Sequence, residues 1–314
     1  MRAAPVPPMP LLLLSVGLFA ACAGKADPPT DSGGSDGGAD GGSDGGADGG
    51  SDGGADGGSD GGSDGGEVRM GEACPADQKL GEVYVVDQGA TLYLGGRVAD
   101  AVDPWVGAPA LESAACAHFV YDAAACGGAC PSGEVCGADG ACTPQPRLRA
   151  DVAVTVTIAG EAHEFSADAS GGYLYGELPG AAAIDGLRLM VGGAAVDVPA
   201  MAIGGDLPDL SVVAAGDWDA PGELTVSWTP APAGTVVRTL IPINHHAGAP
   251  TFTACAAPAD AGGFSVPADM VNPLAVITGL EFQGCHHVGL AAVHLADGCV
   301  EVWAGTQILA FPAL

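Results

Sequence analysis

The chain is short of basic residues. Nine Lys and Arg stand against 38 Asp and Glu in 314 residues, a formal net charge of −29. Phosphate backbones are held by clustered Lys and Arg that displace counterions, so this balance argues against nucleic acid as a partner. It argues equally against electrostatic docking on an anionic membrane. Long apolar runs are also missing. The best of them, "LLLLSVGLFA" from Leu11 to Ala20, has about ten residues, too few to cross a hydrocarbon core of roughly 30 Å as a helix. There is no C-x-x-C, and the only start of an HExxH, His163-Glu164, has Ala167 where the second histidine belongs. The usual zinc spacings are therefore lacking. No amphipathic helical pattern of ten or more residues stands out. "VPADMVNPL" is expected to make one short turn after Pro267.

What is present begins at the N-terminus. Arg2 and the α-amino group form a short positive region before the apolar run, which has the length of a secretory signal h-region. Ala20 and Ala21 then precede Cys22. "LFAAC" resembles the lipobox of bacterial lipoproteins, whose cysteine is acylated and becomes the first mature residue, although Phe19 stands where Leu is usual. The resemblance makes residues 1–21 a lipoprotein signal peptide and Cys22 the lipidation site. More than one acyl chain anchors stably where one alone is marginal, each buried methylene contributing about 0.8 kcal/mol. Ala23 follows the cysteine in place of the Asp associated with inner-membrane retention, which implies the outer membrane or cell surface.

Residues 22–66 read as a disordered linker. From Ser35 to Gly66 the sequence is eight tetrads of Ser/Ala-Asp-Gly-Gly. Nothing in them is apolar beyond alanine, so no burial offsets the ordering entropy of so many glycines. A calcium β-roll has a nine-residue period with a large apolar residue in each repeat. Here the period is four and that residue is missing. "GGSDG" satisfies G-x-S-x-G at Ser35 and Ser43, but a nucleophile elbow needs a strand before the serine and a helix after it, and neither can form here. The block is a tether with a mean reach of about 30 Å, extended further by its like charges. Without Arg2, Lys25 and the ten aspartates from Asp27 to Asp64, residues 67–314 keep 28 acidic against seven basic side chains, still net −21.

That body is expected to be all-β, two β-sandwich domains with a disulfide-rich insert. "GEVYVVD", "ATLYLGGRV", "DVAVTVTIAG", "GLRLMVGG" and "VDVPAMAI" alternate with period two between Gly, Pro and Asp turns. Residues 67–206 form the first β-domain, with a Cys-rich insert at 126–144. Residues 207–314 supply a further six or seven strands, and "ELTVSWTPAPAG" with Trp228 resembles the tryptophan-bearing strand of immunoglobulin and fibronectin type III sandwiches.

The insert, "CGGACPSGEVCGADGACTP", places Cys126, Cys130, Cys136 and Cys142 within 17 residues rich in Gly, Pro and Asp. Such a segment builds no core and needs cross-links. Zinc is the competing reading, but its ligands favour two close pairs with a longer gap. Of three possible connectivities, Cys126–Cys136 with Cys130–Cys142 is preferred. Elsewhere Cys74 is paired with Cys116 and Cys255 with Cys299, which leaves Cys285 over.

Taken together, the lipobox, the Gly/Ser/Asp tether, "CxxxCPxGEVCxxDGxC" and a terminal region with "LTVSWTP", "FSVPADMV" and "GCVEV" resemble a group of exported lipoproteins from myxobacteria and related bacteria. The resemblance implies an anchored β-protein and brings no catalytic residues or cofactor with it. The functional expectation is a noncatalytic surface binding or structural module, attached to the membrane through its lipid, with a protein or glycan ligand. The alternative is a secreted enzyme or metal-binding protein using His245, His246, His286 and His287, with His294 on the face of His286. Of Trp105, Trp218, Trp228 and Trp303, all able in principle to stack on sugars, Trp228 and Trp303 are assigned to the core.

Overall fold

A computed structural model describes residues 66–128, 130–169, 171–216, 222–242, 251–278 and 285–308. The protein is nearly all β. Strict alternation sets the strands, as in Val152–Ile158, which buries Val152, Val154, Val156 and Ile158 and leaves the residues between them half-exposed.

One sheet of ten strands runs through the body. Across it lie Tyr173–Pro179, Thr91–Val98, Lys79–Asp87, Gly298–Ile308, Cys285–Leu295, Val236–Pro242, Phe252–Pro258, Cys116–Phe119 and Leu111–Glu112, in that order. Its centre is the terminal hairpin, two strands of 11 residues each. Gly298–Ile308 lies parallel to Lys79–Asp87, with Val83 opposite Val302, and antiparallel to Cys285–Leu295. The far edge of Cys285–Leu295 is shared. Val236–Thr239 pairs with Cys285–Val288, and Glu67–Met70, the tenth strand, pairs with Ala291–His294.

Two cores form on one face of this sheet. The first lies under a four-stranded sheet built from Val152–Ile158, Glu161–Ser166, Gly186–Val191 and Ala194–Val198. The second lies under Ser211–Ala214, Leu224–Ser227 and Gly263–Val266, together with the helix Ala268–Thr278, and includes Trp228. The expected boundary at 206/207 separates these cores roughly, but it does not separate the sheet. The terminal hairpin gives Ala291, Val293, Val300, Val302 and Ala304 to the first core, and Cys116 enters the second. Alternation along a strand reports which face is buried, whereas the neighbour it pairs with is chosen non-locally.

The helix also differs from expectation. It has 11 residues with Pro273 inside, where one turn was expected. Met270, Val271 and Leu274 are fully buried. At about 1.5–3 kcal/mol each, their burial outweighs the roughly 3 kcal/mol penalty of an interior proline.

Within the insert the disulfides are Cys126–Cys136 and Cys130–Cys142. The long-range pairs correct the sequence reading: Cys74 is bonded to Cys299 and Cys116 to Cys255, not Cys74 to Cys116 and Cys255 to Cys299. Cys116 and Cys255 stand directly opposite one another on neighbouring strands, while two further strands separate Cys255 from Cys299. Among the described residues Cys285 is the free thiol, buried in the second core, where desolvation pushes it up to about 12. Peptide mapping of the non-reduced protein is expected to recover Cys74–Cys299 and Cys116–Cys255, and a Cys255–Cys299 peptide would refute this topology. Replacing Cys74 and Cys299 by serine is expected to cost about 2–5 kcal/mol in denaturant unfolding.

Candidate ligand-binding cleft

The other face of the ten-stranded sheet carries the buried charged side chains and a row of aromatic rings, beside smaller apolar clusters that include Leu240 and Leu290. Its strands bring residues into rows by register. One row reads Tyr173, Arg97, Glu82 and Glu301, and the next reads Tyr175, Gly95, Tyr84 and Trp303. Tyr84 stacks on Trp303 with ring centroids 5.0 Å apart. Gly95 permits this, because a Cβ there would come within 2.5 Å of the Tyr84 ring.

Beside the aromatic row lies a buried charge cluster. Glu301 is fully buried, and its Oε1 accepts from Arg238 Nη1 at 2.6 Å and from Lys79 Nζ at 3.0 Å. Lys79 also reaches Glu82 at 3.4 Å, and Trp303 Nε1 donates to the same Glu82 carboxylate. The Arg238 guanidinium sits 4.8 Å over the Trp303 ring. Two cations and two anions thus balance. Burial alone would raise the Glu301 carboxyl, but Lys79 and Arg238 outweigh it and hold it below the ordinary range. The neighbouring His286 is pushed down to about 3, first by burial and then by Arg238, so it is neutral.

At the end of this face opens a cleft of about 350 Å³. Its lining includes Lys79, Arg97, Asp103, Trp105, Tyr173 and Phe252, with Gln145, Pro146 and Leu148 on one wall. Both loops that form it are pinned. Asp100 N donates to Arg147 O and Arg147 N to Asp100 Oδ1, while Ala138 of the insert donates to Pro104 O. The Trp105 ring meets Tyr121 and Phe252 edge-on, at centroid distances of 6.4 and 6.5 Å. Asp168 accepts from the backbone N–H groups of Gly171 and Tyr173, fixing the turn that presents Tyr173. Burial raises the Asp103 carboxyl, and Arg97 and Lys79 moderate that rise.

Among the described residues the histidines do not converge. His245 and His246 lie outside the described residues. The strand that precedes them in sequence, Val236–Pro242, does neighbour Cys285–Leu295, which carries His286 and His287, but adjacent residues of a strand point to opposite faces. His286 packs toward Trp303, whereas His287 lies on the core face. His287 Nδ1 donates to Gly205 O at 2.9 Å, and its Nε2 is 2.8 Å from Thr235 Oγ1, which occupies both ring nitrogens. His294 shares the face of His286 but stands eight residues away, roughly 26 Å along the strand. Among the described residues, the group with ligand atoms close enough for a metal is Cys126, Cys130 and Cys142, and all three are in disulfides. Cys22 and Trp218 lie outside the described residues. Trp228 and Trp303 are buried, and Trp105 lines the cleft. Sequence reasoning missed the charge cluster, although each half leaves a signal: one charged residue inside an apolar run, Arg238 in "TVVRTLI" and Glu301 in "CVEVWAG".

No family model matches the chain, and no curated protein does. Among solved structures, a tetra-tandem repeat in the extending region of a large adhesion protein is similar at 16% identity over 71% of this chain, with a TM-score of 0.15. The chain spans about half of that one, 48%. At that score the likeness carries no argument.

Glu301→Leu removes the buried carboxylate that Arg238 and Lys79 share and is expected to cost about 3–5 kcal/mol in urea unfolding. Adding Arg238→Met, which leaves the Lys79–Glu82 pair intact, should recover most of the loss. Acid is expected to act through His286. The unfolded imidazole titrates near 6.5 and the folded one near 3, so the unfolded chain takes up the proton first and stability falls as pH drops through that window. Between pH 7 and 4.5 this amounts to on the order of 2 kcal/mol, and His286→Gln should flatten that part of the pH profile.

Proposed function

We propose that this is an exported lipoprotein of the myxobacterial type, held at the outer membrane or cell surface by acylated Cys22. On this reading residues 22–66 tether a noncatalytic body, which binds or supports a partner away from the membrane. The observation that carries this reading is the Cys74–Cys299 disulfide. Tension in the tether enters the body at Gly66 and first meets Glu67–Met70, a strand of four residues at an interrupted edge. Beyond it, Cys74 is joined covalently to Cys299, in a central strand of the ten-stranded sheet. A pull that strips the short strand is therefore delivered to the hairpin that holds both cores.

Four disulfides also belong to a chain that matures in an oxidising compartment. The noncatalytic part is favoured by the state of the buried carboxylates. Glu82 and Glu301 are committed to Lys79 and Arg238, whereas a general acid or base must reach its substrate. Labelling cells with an alkyne fatty acid is expected to mark the wild-type protein and leave Cys22→Ala unmarked. Equal labelling of both would reject the anchor.

A further inference from the structure

The seven basic residues of the body are unevenly used. Arg69, Lys79, Arg149, Arg188 and Arg238 each make an ion pair. Among the described residues Arg97 and Arg147 make none, in a body with 28 carboxylates. Arg97 is in the lining of the cleft, and the exposed Arg147 lies at its edge in sequence, between the lining residues Pro146 and Leu148. Arg97 is also directly opposite Tyr173, which is half-exposed.

We propose that this cleft binds an acidic saccharide, a sugar bearing a carboxylate, at the end of a glycan chain. The unpaired guanidinium of Arg97 takes the carboxylate, for which its planar fork is suited. Trp105 and Tyr173 offer apolar ring faces to the sugar, and Asp103 and Gln145 offer an acceptor and an amide to its hydroxyls. The volume lies at the small end of the range for ligand sites, about 300–1,000 Å³, which suits a chain end and not the length of a polymer. A phosphorylated ligand or nucleic acid is disfavoured by the field of the surrounding negative charge, against which a single carboxylate beside Arg97 is the smaller burden. The proposal gives a ligand class to the binding module described above and rests on that reading.

The test is calorimetric titration of the full chain with glucuronate and galacturonate oligosaccharides, with neutral oligosaccharides of the same length, and with an acidic tetrapeptide. Saturable binding of the uronates alone is expected, weakened at least tenfold by Arg97→Gln and by Trp105→Ala and unchanged by Arg188→Gln. Thermal unfolding checks that each variant is folded. A Trp105→Ala chain that does not fold leaves the decision to Arg97→Gln, a change of a half-buried side chain without an ion pair. Absence of uronate binding, equal binding of neutral sugars, preference for the peptide, or indifference to Arg97→Gln would each overturn the proposal. Cleavage of the bound uronate would uphold the site and reject the noncatalytic reading, while loss of fatty-acid labelling alone would touch only the anchor.

Discussion

The body depends on the parallel pairing of Lys79–Asp87 with Gly298–Ile308. That contact joins the start of the folded region to its end, so the sheet has no centre until the last strands of the chain are in place. The two cores inherit this dependence, because each is completed by residues that arrive late: Val300 and Val302 in the first and Cys285 in the second. Pairings this distant must overcome the loop-closure entropy of most of the chain before they return any contact energy. The Cys74–Cys299 bond spans 225 residues and closes the same loop covalently. Once formed, it removes from the unfolded ensemble much of the freedom that made the pairing costly.

The buried charges impose a second constraint on the same strands. Lys79, Glu82, Arg238 and Glu301 come from three strands that are distant in sequence, and their neutrality holds only in one register. A slip of one residue along Gly298–Ile308 would turn Glu301 into the first core, away from both cations. A buried ion pair adds little net stability over a well-packed apolar replacement, since desolvation offsets most of its attraction. Its contribution here is to make the wrong registers costly. Small alternating strands rich in Val and Ala discriminate poorly between registers on packing alone.

The legibility of this arrangement follows the range of the forces involved. Strand positions were readable because alternation is local: "DVAVTVTIAG" buries Val152, Val154, Val156 and Ile158 as its pattern indicates. The insert's pairing was readable because its four cysteines lie so close that few partners compete. Cys74 and Cys255 were misassigned because nothing near them in sequence reports the strand opposite. The helix at Ala268–Thr278 was underrated because Pro273 lowers its local propensity, while the burial that stabilises it belongs to the second core. Of the cleft, only Trp105 was singled out beforehand. Arg97 and Asp103 acquire meaning from each other, and 3D proximity brings them together across a turn.

The insert explains how such a cleft stays formed in loops that have almost no core of their own. Residues 99–106 and 145–148 are bonded to one another, and Pro104 accepts from Ala138 inside the insert. Gly107 faces Ala138 so closely that a Cβ there would come within 2.7 Å of it. The two short disulfides thus fix a small rigid body, and that body fixes the walls. A cleft held this way loses little conformational freedom when it takes a ligand, so weak individual contacts suffice for binding. It also explains why Arg97 can remain without a carboxylate partner in a body of net −21. Arg97 moderates the burial-raised Asp103 carboxyl without forming an ion pair with it, and Asp103 belongs to the loop that those bonds pin.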